Sequence, residues 1–374
     1  MKDYEVTLSI PVYNVEKYIH TALFSALNQN FESIEFLIVD DKGTDRSMEL
    51  VNEIVSTHLR KNDIRIIDNL VNKGLSECRN IAVREAKGKY LYFMDSDDEI
   101  VPECISILHK RILETDADMV VGSYVRKKED KVISKDWVYE DMFTGFSDGL
   151  KELWLSRKLR KVHTPLWNKL YNLDFLRRNE ILCAPQTRLV DDMYFTFLVM
   201  WNIKKLCFVS DITYLYYERS GALTDMGIKK NDKHNRIASE GMCIIDLKKK
   251  FLFKTTDPII QSLLSDYIIR EILFVASVQC SYRLPLRNKI ESIDRLLKPF
   301  ERCTGKYKII YSILCSLFPT LRFIVRSTVY SPISSPVSGL HTNSPSTKSI
   351  VSFSNQAVLS ETNTGITSKS CTLE

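Results

Sequence analysis

The sequence predicts an α/β fold: a mostly parallel sheet with helices on both faces, followed by a helical C-terminal region. Three observations carry this. Over residues 1–125, short apolar runs alternate with segments of helical period, the order that builds parallel strands joined by covering helices. Residues 235–300 read as helical throughout, with Pro258 and Pro285 as breakpoints. The chain has 374 residues, 44% hydrophobic and 26% charged, a globular composition with room for one large domain or two ordinary ones.

Residues 6–12 read as a buried strand. Residues 16–29 follow, with Ile19, Ala22, Leu23, Ala26 and Leu27 on one helical face. A second strand spans 34–39, and a second helix spans 45–59 with Asp45 as its N-cap. Residues 64–67 form a short strand, 75–86 a helix and 90–94 a strand. The helix predicted over 102–114 opens on Pro102, in the first turn where its missing N–H costs little. A strand over 119–124 closes the series. Beyond it lie a charged stretch, 126–135, and an aromatic-rich region with Trp137, Trp154, Trp167 and Trp201.

The net charge of +5 is too weak to argue for nucleic acid, but it is unevenly placed. Residues 283–330 hold ten Lys/Arg against three Asp/Glu, a basic segment that predicts an anionic surface partner. Within it Ile309, Ile310, Ile313, Leu314, Leu317 and Phe318 form an apolar stripe flanked by Lys306, Lys308, Arg322 and Arg326, the pattern of an interfacial amphipathic helix. Residues 331–374 are rich in Ser, Thr, Asn and Pro and are expected to be disordered. The nine cysteines include no Cys-x-x-Cys pair, which fits reduced thiols and a cytoplasmic location. The opening run MKDYEVTLSIPVYN lacks the apolar core of a signal peptide, so export by that route is not expected. No stretch reaches the ~20 apolar residues of a membrane-spanning helix. A peripheral position on the inner face of the plasma membrane is therefore the expectation.

Chemistry concentrates after two strands. Residues 34–39 lead into Asp40-Asp41, and 90–94 into Asp95-Ser96-Asp97-Asp98. Open parallel sheets bind ligands beyond the carboxyl ends of their strands, so these carboxylates are expected along one rim. Asp41 is as readily explained as a helix-capping residue. Like charges ~4 Å apart repel by ~1 kcal/mol even in water, so the bunched carboxylates call for a cation, and hard oxygen ligands suit Mg²⁺ or Mn²⁺ shared with a substrate phosphate. All twelve glycines are isolated, without a Gly-x-Gly, which removes the glycine-rich nucleotide loops. The histidines show no metal-ligand spacing; His163, the one near these blocks, reads as a packing residue.

The runs LSIPVYNVEKYI, IEFLIVDDKGTDRS and NKGLSECRNIAVREAKGKYLYFMDSDDEIVP, followed by PLWNKLYNLDFL and RLVDDMYF, resemble family 2 glycosyltransferases of GT-A fold and bacterial surface-polysaccharide type. The likeness covers roughly 4–220. Asp191-Asp192 stands where the family more often has Glu-Asp, and Lys42-Gly43 where Gly-Ser is commoner. The resemblance implies that Pro11, Tyr13 and Asn14 wrap the nucleotide base and that Asp40 accepts the uracil imide proton. It puts Asn72 and Arg79 in the nucleotide pocket, Asp95 at the ribose, Asp97 on the metal and Asp98 toward the donor sugar. Asp192, with Asp191 as the alternative, matches the catalytic base, and Trp167 and Lys169 fall on the acceptor side. The purely structural alternative for the Asp191-Asp192 pair is an N-cap on the helix 193–201.

The implied division is a catalytic domain at 1–220, a helical basic region at 221–330 and a tail at 331–374. The implied function is inverting transfer of a sugar from a nucleotide-diphosphate donor, UDP-linked, to a hydroxyl of a growing glycan or lipid-linked glycan. A diphosphate leaving group is stabilised by a divalent cation, and an opposed carboxylate takes the acceptor proton. A catalytically silent nucleotide-sugar-binding scaffold is the second reading, and a nucleotidyltransferase the third.

Overall fold

The computed structural model describes residues 3–129, 131–146, 149–157, 159, 162–184, 187, 190–219 and 230–280, all within a compact unit spanning Met1–Ser331. The basic stripe in 283–330, Pro285 and the tail 331–374 lie outside the described residues. The chain runs β1 (Tyr4–Val12), α1 (Ile19–Leu27), β2 (Ile34–Asp40), α2 (Ser47–Thr57), β3 (Ile64–Asp68), α3 (Leu75–Glu85), β4 (Gly88–Phe93), β5 (Glu99–Ile100), α4 (Cys104–Thr115) and β6 (Met119–Lys128). Then follow β7 (Lys131–Trp137), β8 (Met142–Gly145), α5 (Lys151–Leu155), β9 (Lys169–Asn172), α6 (Leu173–Arg178), α7 (Asp191–Asn202), β10 (Lys205–Tyr217), α8 (Lys230–Lys254) and α9 (Pro258–Cys280).

One sheet takes the order β3-β2-β1-β4-β9-β6-β10-β5, with β7 on β6 and β8 on β10. β3, β2, β1 and β4 are parallel, as are β6 and β10. β9 lies between β4 and β6 and is antiparallel to both. From β3 to β10 every strand except β9 therefore points the same way. The reversed strand starts toward the carboxyl end of β4, with Leu170 opposite Tyr92, and its first residue, Lys169, lies opposite Val121 of β6.

Alternation along the strands feeds two cores. Leu37, Val39, Leu91, Phe93, Val121 and Phe208 face α3, α6, α7, α8 and α9. Leu8, Ile10, Phe36, Ile38, Tyr92 and Val120 face α1, α2 and α4. Helices thus cover both faces, as the alternation predicts. The buried residues of α1 are Ile19, Ala22, Leu23, Ala26 and Leu27, the expected stripe. α8 and α9 add Ile245, Leu252, Leu264, Ile268 and Ile272 to the first core. They cross closely: a Cβ on Gly241 would lie 2.7 Å from Val275 Cγ2.

Helix starts differ from expectation where a side chain has a better partner. α2 starts at Ser47, with Arg46 as its N-cap. Asp45 accepts the Ser47 N–H (3.0 Å) and the Glu16 N–H (2.9 Å), tying α2 to the loop after β1. Pro102 precedes α4, in a turn closed by Cys104 N–H to Val101 O (3.0 Å), and proline suits the second position of such a turn. Pro258 does open α9, where Asp257 Oδ1 accepts from the N–H groups of Ile259 (2.8 Å) and Ile260 (3.2 Å). The charged stretch 126–135 falls on the antiparallel pair β6 and β7. Among the described residues, no helix is long and apolar enough to cross a membrane.

Candidate active site

The carboxyl ends of β1, β2 and β4 lie side by side. Pro11 is in β1, opposite Val39; Tyr13 follows, 37% exposed, and Asn14 turns left-handed with φ 53°. The Asn14 side-chain oxygen accepts the Thr44 N–H (2.7 Å). Gly43 is needed beside it, because a Cβ there would lie 2.8 Å from both Asn14 N and Oδ1. The loops after β1 and β2 are clamped together by these contacts.

The two aspartates after β2 have different partners. Asp40 accepts from Lys42 through the backbone N–H (2.8 Å) and through Nζ (3.2 Å), and the same Nζ reaches Asp68 (2.5 Å). These carboxylates, Asp68 first, raise the Lys42 pKa. Asp41 faces inward. Its Oδ1 accepts from Asn69 Nδ2 (3.1 Å) and Lys73 N–H (2.7 Å), its Oδ2 from Asn72 Nδ2 (3.1 Å) and Gly74 N–H (2.9 Å). Asp41 thereby moulds the loop before α3 rather than capping the helix that follows it, since α2 has Arg46 as its N-cap and α3 has Gly74, neither with a side-chain cap; the Asn72 amide is turned toward it.

After β4, Asp95 Oδ1 accepts from Arg79 of α3 (3.0 Å), and Arg79 is only 5% exposed. Burial, then the Asp95 charge, pushes the Asp97 carboxyl up to about 6; the Arg219 guanidinium opposes them. Asp98 sits beneath this rim. It is 2% exposed, with Oδ2 accepting from Tyr214 OH (2.9 Å) and Oδ1 from Tyr217 N–H (2.9 Å), both on β10. Burial, followed by Asp97 and Asp95, holds its carboxyl well above the usual range.

The Trp-Asn-Lys block leads into β9. Trp167 is buried, stacked on Tyr214 (4.5 Å) and Tyr216 (5.5 Å). Asn168, at φ 58°, donates to Gly122 O (2.8 Å) and Ser123 O (3.1 Å) and accepts from Thr213 Oγ1 (2.7 Å). A side chain at Gly122 would strike Thr213 and Asn168. Lys169 is fully buried; its Nζ donates to His163 Nδ1 (2.8 Å) and to Pro165 O. Burial lowers the Lys169 pKa well below the ordinary value, with Asp192 opposing and Arg79 assisting. His163 is likewise held neutral, by burial and then by Lys169. It is a core residue among Tyr124, Trp137 and Trp167.

Asp191 and Asp192 are the first residues of α7, whose N-cap is Val190, so neither is the N-cap. Asp192 lines a cavity of about 520 Å³ with Trp154, Arg157, Thr164, Thr196, Tyr267, Arg270 and Glu271. Arg79 and Asp192 both act on Lys169, and Arg79 grips Asp95.

The Glycosyl transferase family 2 model matches residues 7–172. Residues 7–172 form a family 2 glycosyltransferase domain. The glycosyltransferase GlyA of Streptococcus pneumoniae is 31% identical over 234 residues, 61% of this chain and 32% of its own length. The putative glycosyltransferase EpsH of Bacillus subtilis is 30% identical over 215 residues, 56% of this chain and 60% of its own. The chain thus spans between a third and three-fifths of these two relatives. Residues 1–349 of Staphylococcus aureus TarS, solved in complex with UDP-GlcNAc, share the fold with a TM-score of 0.52 at 19% identity, covering 87% of this chain and 90% of that one.

Several residues of this domain's site were not singled out from sequence. Lys42 and Arg219 are cations facing Asp40 and Asp97. Tyr214 supports Asp98, and the Gly122–Asn168 contact fixes the block before β9. An isolated glycine inside a strand was the available signal for close approach at Gly122; Tyr214 and Arg219 carry none, because their partners lie over a hundred positions upstream.

Proposed function

We propose that the protein is an inverting glycosyltransferase that moves a sugar from a nucleotide-diphosphate donor, most simply a UDP-sugar, to a hydroxyl of a growing surface glycan. One observation carries the reading: the Asp95–Asp97 rim, with Asp95 ion-paired to the buried Arg79, stands apart from Asp192, which lines a cavity of its own. Two carboxylate positions, one on the strand-end rim and one lining a cavity, suit a donor site and an acceptor base. The UDP-GlcNAc bound by TarS, a neighbour of the same fold, supports the donor class.

The Asp95 and Asp97 carboxylates fit a divalent cation. Among the described residues no three His, Cys, Asp or Glu side chains form a cage, which matches a magnesium-type site completed by substrate phosphates and water. Asp97, raised by burial and by Asp95, is the oxygen ligand whose crowding a cation would relieve. When bound, Mn²⁺ or Mg²⁺ supplies Lewis-acid stabilisation of the departing diphosphate. Tyr13, Asn14 and Asp40 border the space for the base, with Lys42 to be displaced from Asp40 as it enters. Arg79 orients Asp95, and Asp98 anchors the loop from below. Asp192 accepts the acceptor proton as the new C–O bond forms opposite the breaking one, which inverts the anomeric centre. Residues 1–220 are the catalytic domain in this reading, with α9 closing the acceptor side and residues 283–330 meeting an anionic membrane surface.

The test is nucleotide release from a panel of UDP-, GDP- and dTDP-sugars, with and without Mn²⁺. Turnover of one donor class, abolished by Asp97→Ala, is expected. Binding of UDP without turnover of any donor, under every metal condition, would establish a silent scaffold instead.

A further inference from the structure

We propose that the cavity between α5, α7 and α9 is the subsite of a hydroxyl-rich acceptor, a sugar or polyol, and that Glu271 and the Trp154–Tyr267 wall select it. This rests on the transferase reading above, and two of its three residues, Tyr267 and Glu271, lie outside the family-matched segment 7–172.

The cavity, about 520 Å³, falls within the ~300–1,000 Å³ of small-molecule sites. Trp154 and Tyr267 stand with ring centroids 4.9 Å apart, presenting flat apolar surface of the kind that packs on the C–H face of a sugar ring. Thr164, Thr196, Arg157 and Arg270 add polar groups around it. Thr196 Oγ1 donates to Thr164 O (2.7 Å), fixing α7 against the loop before β9.

Glu271 is the decisive group. Its Oε1 accepts from Lys248 Nζ at 2.6 Å, while its Oε2 is buried and has no hydrogen-bond partner among the described residues. A buried carboxylate oxygen without a donor is unfavourable, and a ligand hydroxyl would supply the missing bond. Lys248 is itself fully buried, between the Phe197 and Tyr267 rings, so it positions Glu271 and does not reach the ligand. Asp192 and Glu271 both line this one cavity. An acceptor with two hydroxyls can therefore offer one to Asp192 and donate another to Glu271. A simple alcohol satisfies only the first.

The experiment compares transfer to methyl β-D-glucoside and free ribitol with transfer to propan-1-ol, using whichever donor the screen selects. Wild type is expected to favour at least one polyol. The double variant Lys248→Met/Glu271→Leu replaces the buried pair by apolar groups, a change such pairs often tolerate. It should lower kcat/KM for the polyol by roughly 10- to 100-fold, the value of one hydrogen bond to a charged group, and leave the propanol value in place. Calorimetric UDP affinity reports the donor half separately. Should the double variant fail to fold, Trp154→Ala provides the same polyol-to-propanol comparison. An unchanged ratio in the folded variant, or donor turnover with transfer to neither polyol, overturns the assignment. No donor turnover at all, with UDP still bound, is instead the failure of the transferase reading.

Discussion

Asp40 and Asp41 are adjacent, yet the structure predicts opposite consequences for the same substitution. Asp41 accepts four hydrogen bonds, from Asn69, Lys73, Asn72 and Gly74, and is 3% exposed. In Asp41→Asn one oxygen becomes an NH₂ group. Whichever way the amide turns, two donors lose their acceptor and confront another donor. At ~1.5–3 kcal/mol for each bond to a charged group, the loss is ~3–6 kcal/mol, a large part of the ~5–15 kcal/mol that holds an ordinary domain together. Among the described residues the Asp40 carboxylate has only Lys42 as its hydrogen-bonding partner, through a half-exposed ammonium and one backbone N–H. Asp40→Asn should therefore cost ~1–2 kcal/mol while weakening UDP binding. Urea unfolding followed by circular dichroism measures the first quantity and calorimetry the second. Equal stability losses in the two variants, or less than ~1 kcal/mol for Asp41→Asn, would refute the division of labour.

Asp192→Asn should bind UDP normally while transfer falls by roughly 10²–10⁴-fold, the usual range for a lost general base; wild-type rates in this variant with an inactive Asp191→Asn move the base by one residue. Excess EDTA should abolish transfer and added Mn²⁺ or Mg²⁺ restore it, and full activity in chelator ends the metal role of Asp97. His163 is held neutral in the fold by burial and by Lys169, whereas the unfolded chain protonates it near pH 6.5. The unfolded state binds the extra proton, so this contribution to stability is complete above pH ~6.5 and declines by up to ~1.4 kcal/mol per pH unit below it. His163→Phe should flatten that part of the stability–pH curve relative to wild type, and parallel curves for the two proteins dispose of the argument.

Local patterns were legible in the sequence. The stripe Ile19, Ala22, Leu23, Ala26, Leu27 is buried as read, because helical period and core burial are the same constraint. The carboxylates after residues 34–39 and 90–94 fall on adjacent strand ends because those strands are parallel neighbours of β1. Decisions made by distant partners were not legible. Nothing in the four residues of β9 announces a reversed strand between β4 and β6. Asp98 reads like its neighbours until Tyr214 and Tyr217 claim both its oxygens. Asp45 and Pro102 were assigned to helix starts on local grounds, but each has a better use in an adjoining turn.

The long-range anchoring of Asp98 also bears on how the chain is made. β1 to β4 emerge from the ribosome within the first 93 residues and can pair as a parallel block. β9, which fills the gap beside β4, comes some 75 residues later, at roughly 5–20 residues per second, and β10, which bears the tyrosines, later still. Throughout that interval the β4 edge is unpaired and the loop with Asp95 and Asp97 has no floor. Unpaired edges recruit other chains, and pairings between distant segments close slowly. A nascent chain stalled before residue 217 therefore carries every carboxylate of the rim but not the strand that holds the rim in place, and its exposed β4 edge is where a chaperone is most needed.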